Sequence, residues 1–138
     1  MPEARPEAGG LVDTSVLVRY LTGDPPLLAA QAKDLVEGDG IVLLTDVVLL
    51  ETSHVLRAVY GVPREAIVDA LVAFLRRENV RPVDRPKDIL TTALGLCRPS
   101  GRVSIADALI WAAARTAGVP VYTFDKRFPD EGIAVVPG

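Results

Sequence analysis

The sequence predicts an α/β domain with a mostly parallel sheet and helices on both of its faces. The chain has 138 residues, which suits one compact domain with a single hydrophobic core. Apolar residues make up 49% and charged residues 24%, the composition of a globular protein rather than of a disordered one. Short apolar runs alternate with helix-like stretches along the chain, and that alternation favours a parallel sheet.

The first elements follow from apolar runs and helix stop signals. Residues 1–9 are predicted to be a flexible tail, and residues 10–138 a single domain. Residues 10–13 are a short strand that ends in a carboxylate. A helix is predicted over residues 14–21, where Gly-Asp-Pro-Pro stops it, and a second over residues 27–37.

The middle of the chain repeats the pattern. Residues 41–44 are continuously apolar, as in a parallel strand that is buried on both faces. Thr45 or Asp46 can cap a helix that runs to about residue 60, with Gly61 just beyond its end. A proline then starts a helix over residues 63–77.

The remaining elements complete the alternation. Residues 80–83 are a weak strand, followed by a helix over residues 86–97. Residues 104–117 form the next predicted helix, which Gly118 stops. Two short strands are predicted last, over residues 121–124 and 133–136. Sheets of this kind bind ligands beyond the carboxyl ends of their strands, so the functional residues are expected there.

Two aspartates stand at that edge of the predicted sheet. Asp13 ends the first strand and Asp125 ends the fourth. If these strands are neighbours, the two carboxylates lie side by side. Each also has an ordinary structural explanation, because Asp13 can cap the following helix and Asp125 can be a turn residue.

Glu51 lies inside a predicted helix, on an apolar stripe with Val48, Val55 and Val59. Burying an unpaired carboxylate costs several kcal/mol, so a buried Glu51 needs a nearby cation. The alternative is a helix rolled so that Glu51 and His54 face solvent. A lone helical histidine is more often structural, and His54 is assigned no role.

Asp107 is the only charged residue between residues 103 and 114, in a helix that is apolar nearly all round. Such a helix is expected to be buried. Ser104 stands three residues earlier, so Asp107 can also belong to a capping box with Asp in place of the usual Glu or Gln. Capping and metal binding are compatible, since the first turn lies at the crevice.

Together these acids predict a divalent metal site. Four gathered carboxylates remain ionised only if a cation neutralises them, and oxygen ligands suit Mg²⁺ or Mn²⁺. The single cysteine and single histidine give no zinc pattern. A carboxylate Mg²⁺ site typically supports phosphoryl chemistry, so a metal-dependent nuclease is the working hypothesis.

Net charge and cysteine content bear on the protein's binding partners and its cellular compartment. The net charge of −3 argues against a protein that coats nucleic acid, but leaves a local basic patch possible. Lys126 and Arg127 follow the last acid and could steer phosphates, as could Arg98; each is equally explained as a solvated surface residue. The lone Cys97 fits a reducing cytosol, and no apolar run is long enough to span a bilayer.

Four stretches of the chain resemble a PIN domain, specifically the ribonuclease toxin of VapBC toxin–antitoxin pairs. They are LVDTSVLVRYL from residue 11, LETSHVL from residue 50 with YGVPRE following, IADALI from residue 105 and VYTFDKRF from residue 121. The resemblance covers about residues 10–136. It implies a three-layer α/β/α domain with about five parallel strands in the order 3-2-1-4-5, so that the first and fourth strands are adjacent.

The resemblance also implies a site and an activity. The family's four acidic positions fall on Asp13, Glu51, Asp107 and Asp125, which would bind Mg²⁺ or Mn²⁺ while an activated water cleaves RNA. Asp13 and Asp107 would be the most direct metal ligands. Supporting positions fall on the residues Thr14, Ser15, Thr123 and Lys126.

A cytoplasmic homodimer with a cognate antitoxin is implied as well. Apolar residues of the early helices could contact that antitoxin, namely Val18, Leu21, Leu27 and Leu28, although ordinary core packing explains each of them too. The alternative of an inactive PIN-like module that acts by binding stays open. A Mg²⁺-binding phospho-receiver switch is a further alternative, but it would need adjacent acids after the first strand, where Asp13 stands alone, and a lysine near the last strand. A dehalogenase-type phosphatase would need an aspartate where Ser15 stands.

Overall fold

A computed structural model describes residues 9–99 and 101–137, so the predicted N-terminal tail lies almost wholly outside the described residues. The helices in this part of the chain are α1 (Thr14–Thr22), α2 (Pro26–Glu37), α3 (Asp46–Ala58), α4 (Arg64–Leu75), α5 (Lys87–Cys97) and α6 (Ile105–Ala117). The strands are β1 (Gly10–Leu11), β2 (Val42–Leu44), β3 (Val80–Pro82), β4 (Val121–Tyr122) and β5 (Val135–Val136). The predicted alternation is confirmed, with strands shorter than expected.

The strands form two parallel sheets. In the first, β1 pairs with β2 and β2 pairs with β3, with Val42 opposite both Gly10 and Val80. In the second, β4 pairs with β5, with Val121 opposite Val135. The α/β class and the parallel sense are confirmed. Among the described residues β1 does not pair with β4, so the continuous five-strand order remains a prediction.

Local capping sequences set the helix ends. The Thr45 hydroxyl accepts a hydrogen bond from the Val48 N–H, so α3 begins at Asp46. At the other end of α3, the predicted boundary was two residues too late, because the helix ends at Ala58 before Gly61 turns the chain with a φ of +64°. Gly118 ends α6 as predicted, with a φ of +68°.

The core lies between the helices and the sheet edges and is built from branched aliphatic side chains. Cys97 and Trp111 belong to it, as the sequence predicts, with exposed fractions of 0% and 3%. The Trp111 indole N–H still has a partner, the Glu131 carbonyl at 3.0 Å. The largest fully buried side chains include Leu17, Leu44, Leu49, Leu71, Leu75, Phe74, Leu90 and Leu94.

A partly buried ion pair connects the start of α3 to α6. The Arg85 guanidinium bonds to both carboxylate oxygens of Asp46 at the start of α3. Its Nη1 also donates to the Thr116 hydroxyl of α6 at 3.2 Å. The Arg85 side chain is only 9% exposed, so this contact positions α3 and α6 relative to each other.

Candidate active site

Asp13 is the N-cap of α1. Its Oδ1 accepts hydrogen bonds from the Ser15 hydroxyl at 2.6 Å and from the Val16 N–H at 3.1 Å. These bonds, the Ser15 bond first, stabilise the carboxylate and lower the pKa of Asp13 below 3.8. The side chain is exposed and both bonds use Oδ1, so neither of these capping bonds occupies Oδ2.

Glu51 reaches the same surface as Asp13 through a hydrogen bond from Thr14. The Thr14 hydroxyl donates to Glu51 Oε1 at 3.1 Å, across 37 residues of sequence. A second bond between the same regions joins the Tyr60 hydroxyl to Asp24 at 2.9 Å. Helix α1 therefore lies along α3 and brings the end of β1 beside the middle of α3.

The prediction that Glu51 lies on a buried stripe is wrong. Glu51 is exposed, and Val59 of the same predicted stripe is 71% exposed. Helix α3 is rolled so that Leu49, Thr52 and Leu56 face the core. The four consecutive apolar residues 47–50 lie on several faces of the helix, so the hydrophobic pattern did not define the roll, whereas packing against α1 does.

Asp107 lies in the first turn of α6 and is half-buried. Its N–H donates to the Ser104 hydroxyl at 3.0 Å, so the predicted N-terminal cap is confirmed on the Ser104 side. The rest of α6 is less buried than the sequence predicts, since Ile110 is 50% exposed. Helix α6 packs on α3, which places Asp107 on the element next to the one that carries Glu51.

Asp125 stands in the loop after β4. Its Oδ1 accepts from the Arg127 N–H at 2.9 Å, and its own N–H donates to the Thr123 hydroxyl at 3.0 Å. The bonds are local, as in an ordinary turn. Asp125, Lys126 and Arg127 are exposed, while Thr123 is half-buried.

These positions put Asp13 and Glu51 on one surface, because the Thr14 hydroxyl, next in sequence to Asp13, donates to Glu51. Across residues 9–99 and 101–137, no three His, Cys, Asp or Glu side chains lie close enough to hold a metal ion in common. The atoms of Asp13, Glu51 and Thr14 that could bind a metal ion on this surface are all oxygens. Oxygen is the ligand type that Mg²⁺ and Mn²⁺ prefer. The four-carboxylate site therefore stays a prediction.

A basic groove lies beside Glu51, and the sequence did not predict it. It has a volume of about 380 Å³ and lies between α3, the start of α4 and the first residues of α6. His54 and Arg57 line it from α3 and Arg64 from α4. The i, i+3 spacing of His54 and Arg57 signals a shared helix face, but the opposing wall comes from a distant part of the chain.

Arg98 is engaged elsewhere. Its guanidinium donates to the two Asp69 carboxylate oxygens at 2.8 and 3.0 Å, so it forms an exposed surface ion pair. The bonds raise the pKa of Arg98 and lower that of Asp69. The interpretation of Arg98 as a phosphate-steering residue is therefore not favoured.

The fold and the site together define an α/β domain of parallel strands with an acidic side chain, Asp13, where β1 passes into α1 and a second, Glu51, on the same surface. A family model described as PIN domain matches residues 10–132. The chain belongs to the PIN domain family, whose members are generally metal-dependent nucleases. No curated protein and no solved structure matches the chain significantly. None of the helices in the described part of the chain has the length and apolar content needed to cross a bilayer.

Proposed function

We propose that this protein is a Mg²⁺- or Mn²⁺-dependent endoribonuclease that hydrolyses RNA phosphodiester bonds. The observation that carries the proposal is the PIN domain match over residues 10–132, a range that contains all four predicted acids. The surface that Asp13 shares with Glu51 supports it, because the Thr14 hydroxyl, on the residue next to Asp13, donates to Glu51 across 37 residues of sequence.

Asp13 and Asp107 would hold the metal most directly, with Asp125 and Glu51 completing the set. When bound, a divalent ion supplies charge neutralisation at the phosphate and a nucleophilic water. The chain's own hydrogen bonds prepare for this role. The Ser15 hydroxyl keeps Asp13 ionised, and the Thr14 hydroxyl holds the Glu51 carboxylate in one orientation. Thr123 and Lys126 would support Asp125 and the substrate phosphate.

The test of the activity uses purified protein and single-stranded or structured RNA. We expect cleavage with Mg²⁺ or Mn²⁺ and none with EDTA. Asp107→Asn should abolish cleavage, because it removes a charged ligand while the Ser104 cap, which uses the backbone N–H, is kept. Asp88→Asn changes another first-turn acid, in α5, and serves as the matched control. Cleavage that is equally fast in EDTA would refute the proposal.

The toxin role is part of the same proposal. Leu27 and Leu28 of α2 are 73% and 40% exposed, and Leu35 on the same helix is 60% exposed, so α2 presents apolar side chains that an antitoxin helix could cover. Val18 does not belong to this surface. It is 6% exposed and packs in the interior, and Leu21 is half-buried, so the prediction of an exposed contact at Val18 is wrong.

Expression in a bacterial host tests the toxin role in the cytoplasm. We expect wild-type protein to arrest growth without its antitoxin and Asp13→Asn not to, since asparagine preserves the α1 cap but not the carboxylate. Homodimer formation is checked by light scattering on the same preparations. If the wild-type protein cleaves RNA in vitro but its expression does not slow growth, the protein is a nuclease without a toxin role.

A further inference from the structure

The basic groove next to Glu51 has no counter-charge. Among the described residues that line it, three carry basic side chains and none is acidic. His54 and Arg57 are exposed and make no side-chain hydrogen bond or ion pair within residues 9–99 and 101–137. Arg64 differs, because its Nη1 donates to the Val103 carbonyl at 3.2 Å and thereby holds the wall of the groove. Uncompensated basic side chains in a concave site attract anions.

The floor of the groove is apolar, and its far wall is the first turn of α6. Val62 and Ile67 contribute the apolar part. Ile105 and Ala106 contribute the first turn of α6, whose N–H groups have no partner within the helix. The Ser104 hydroxyl is already taken by Asp107. The basic side chains of α3 therefore face the end of a helix that also favours negative charge.

The spacing of residues along α3 shows where the groove lies relative to Glu51. His54 is three residues after Glu51 and Arg57 six residues after it, a distance of about 9 Å along the helix axis. Asp107 follows Ala106 of the opposite wall directly in sequence. An anion in the groove would thus lie next to the Glu51 and Asp107 region rather than on it.

We propose that this groove binds a backbone phosphate of the RNA strand beside the bond that is cut, with Arg57 and His54 as its main contacts. The proposal rests on the nuclease function proposed above and adds where the flanking strand lies. Arginine is suited to this contact because its planar guanidinium can donate two hydrogen bonds to one phosphate. Such a contact carries no sequence preference, so it strengthens binding of all RNA sequences alike.

The experiment measures binding of a fluorescein-labelled, 20-nucleotide single-stranded RNA to the full chain in EDTA at several KCl concentrations. We expect Arg57→Gln to weaken binding about five- to ten-fold at low salt. It should also reduce the slope of log Kd against log salt concentration by about 0.7, the value for one lost phosphate contact on a single strand. The double variant H54Q/R57Q should weaken binding further.

Arg76→Gln is the matched control. It removes the same charge from the other end of α4, about 18 Å from Arg64 along that helix. Arg76→Gln should change neither the Kd for the RNA nor the slope of log Kd against log salt concentration by as much as two-fold. If Arg57 only stabilises the last turn of α3, Arg57→Gln would lower the melting temperature and leave the salt slope unchanged.

The outcomes separate this inference from the nuclease proposal. If Arg57→Gln and Arg76→Gln bind RNA alike while the wild type cleaves RNA with Mg²⁺, the phosphate subsite is wrong and the nuclease stands. An acidic protein partner for the groove would produce that same result. If Arg57→Gln binds RNA more weakly with the smaller slope but the wild type cleaves no RNA, the groove stands and the nuclease proposal fails.

Discussion

The β1–β3 region and the β4–β5 region of this domain differ in how strongly tertiary packing holds them. In the first, three strands pair in parallel, and Leu44 and Val80 in its strands are fully buried. In the second, each strand has two paired residues, and Tyr122 and Phe124 are 82% and 96% exposed. The difference lies in β2, which has a partner on each side, whereas β1 and β4 are two residues long with one partner each and offer few buried contacts.

The predicted acids are divided between these regions. Asp13 and Glu51 belong to the first, where the hydroxyl of Thr14, the residue after Asp13, donates to Glu51 at 3.1 Å. Asp125 belongs to the second, where its hydrogen bonds reach only two residues along the chain. Helix α6, with Asp107, lies between them. A site shared by all four acids therefore needs residues from both regions.

The largest expected effect comes from Asp125→Asn. If the metal site joins both regions, this substitution lowers RNA cleavage by at least about 100-fold, because a charged ligand is lost from the reacting centre. Asp130→Asn removes an exposed acid from the same region and should leave cleavage unchanged. Cleavage by Asp125→Asn at the wild-type rate would confine the site to the first region.

One substitution in each region should show that the β1–β3 region is packed more tightly than the β4–β5 region. Leu49 in α3 is fully buried, so Leu49→Ala should reduce the free energy of unfolding by about 2–5 kcal/mol. Tyr122→Ala removes a larger side chain but an exposed one, and we expect a change within about 0.5 kcal/mol. Urea unfolding followed by circular dichroism measures both, and a similar loss for Tyr122→Ala would contradict the weak packing of the second region.

The ion pair of Arg85 tests the connection between α3 and α6. Arg85→Met should cost about 2 kcal/mol, because Asp46 keeps its charge but loses its bidentate partner. Arg98→Met breaks the exposed pair with Asp69 and should leave the urea midpoint nearly unchanged. Equal effects of the two substitutions would mean that burial of the Arg85 pair adds nothing.

The smallest expected effect concerns Tyr20 at alkaline pH. Burial, followed by the hydrogen bond to Glu37 at 2.9 Å, raises the pKa of Tyr20 above 10.0. The folded state therefore keeps the Tyr20 proton to a higher pH than the unfolded state does. The contribution of Tyr20 to stability is complete below pH 10 and is lost as the pH rises through the folded pKa.

Tyr20→Phe removes that dependence and costs about 1 kcal/mol at neutral pH for the lost hydrogen bond. Unfolding free energies of both proteins between pH 9 and 11 provide the measurement. Tyr122→Phe, in the exposed second region, should keep the wild-type pH dependence. A Tyr20→Phe curve parallel to that of the wild type would contradict the assignment.

The sequence alone determined the α/β class, the order of the elements and most helix boundaries, because capping residues such as Ser104 and Gly118 act within a few residues of themselves. It also singled out the four acids, two of which meet at one surface. Tertiary structure alone decided which way Glu51 faces, since the roll of α3 depends on the elements packed against it.

The same holds for the strand pairing and the groove. Whether β1 meets β4 depends on contacts over more than a hundred residues, which no local pattern encodes. Arg57 and the start of α6 form one groove because α3 and α6 pack together, although 47 residues separate Arg57 from Ser104. Hydrophobic patterning specifies that a face is buried, whereas the identity of its partner comes from how all the elements fit into one core.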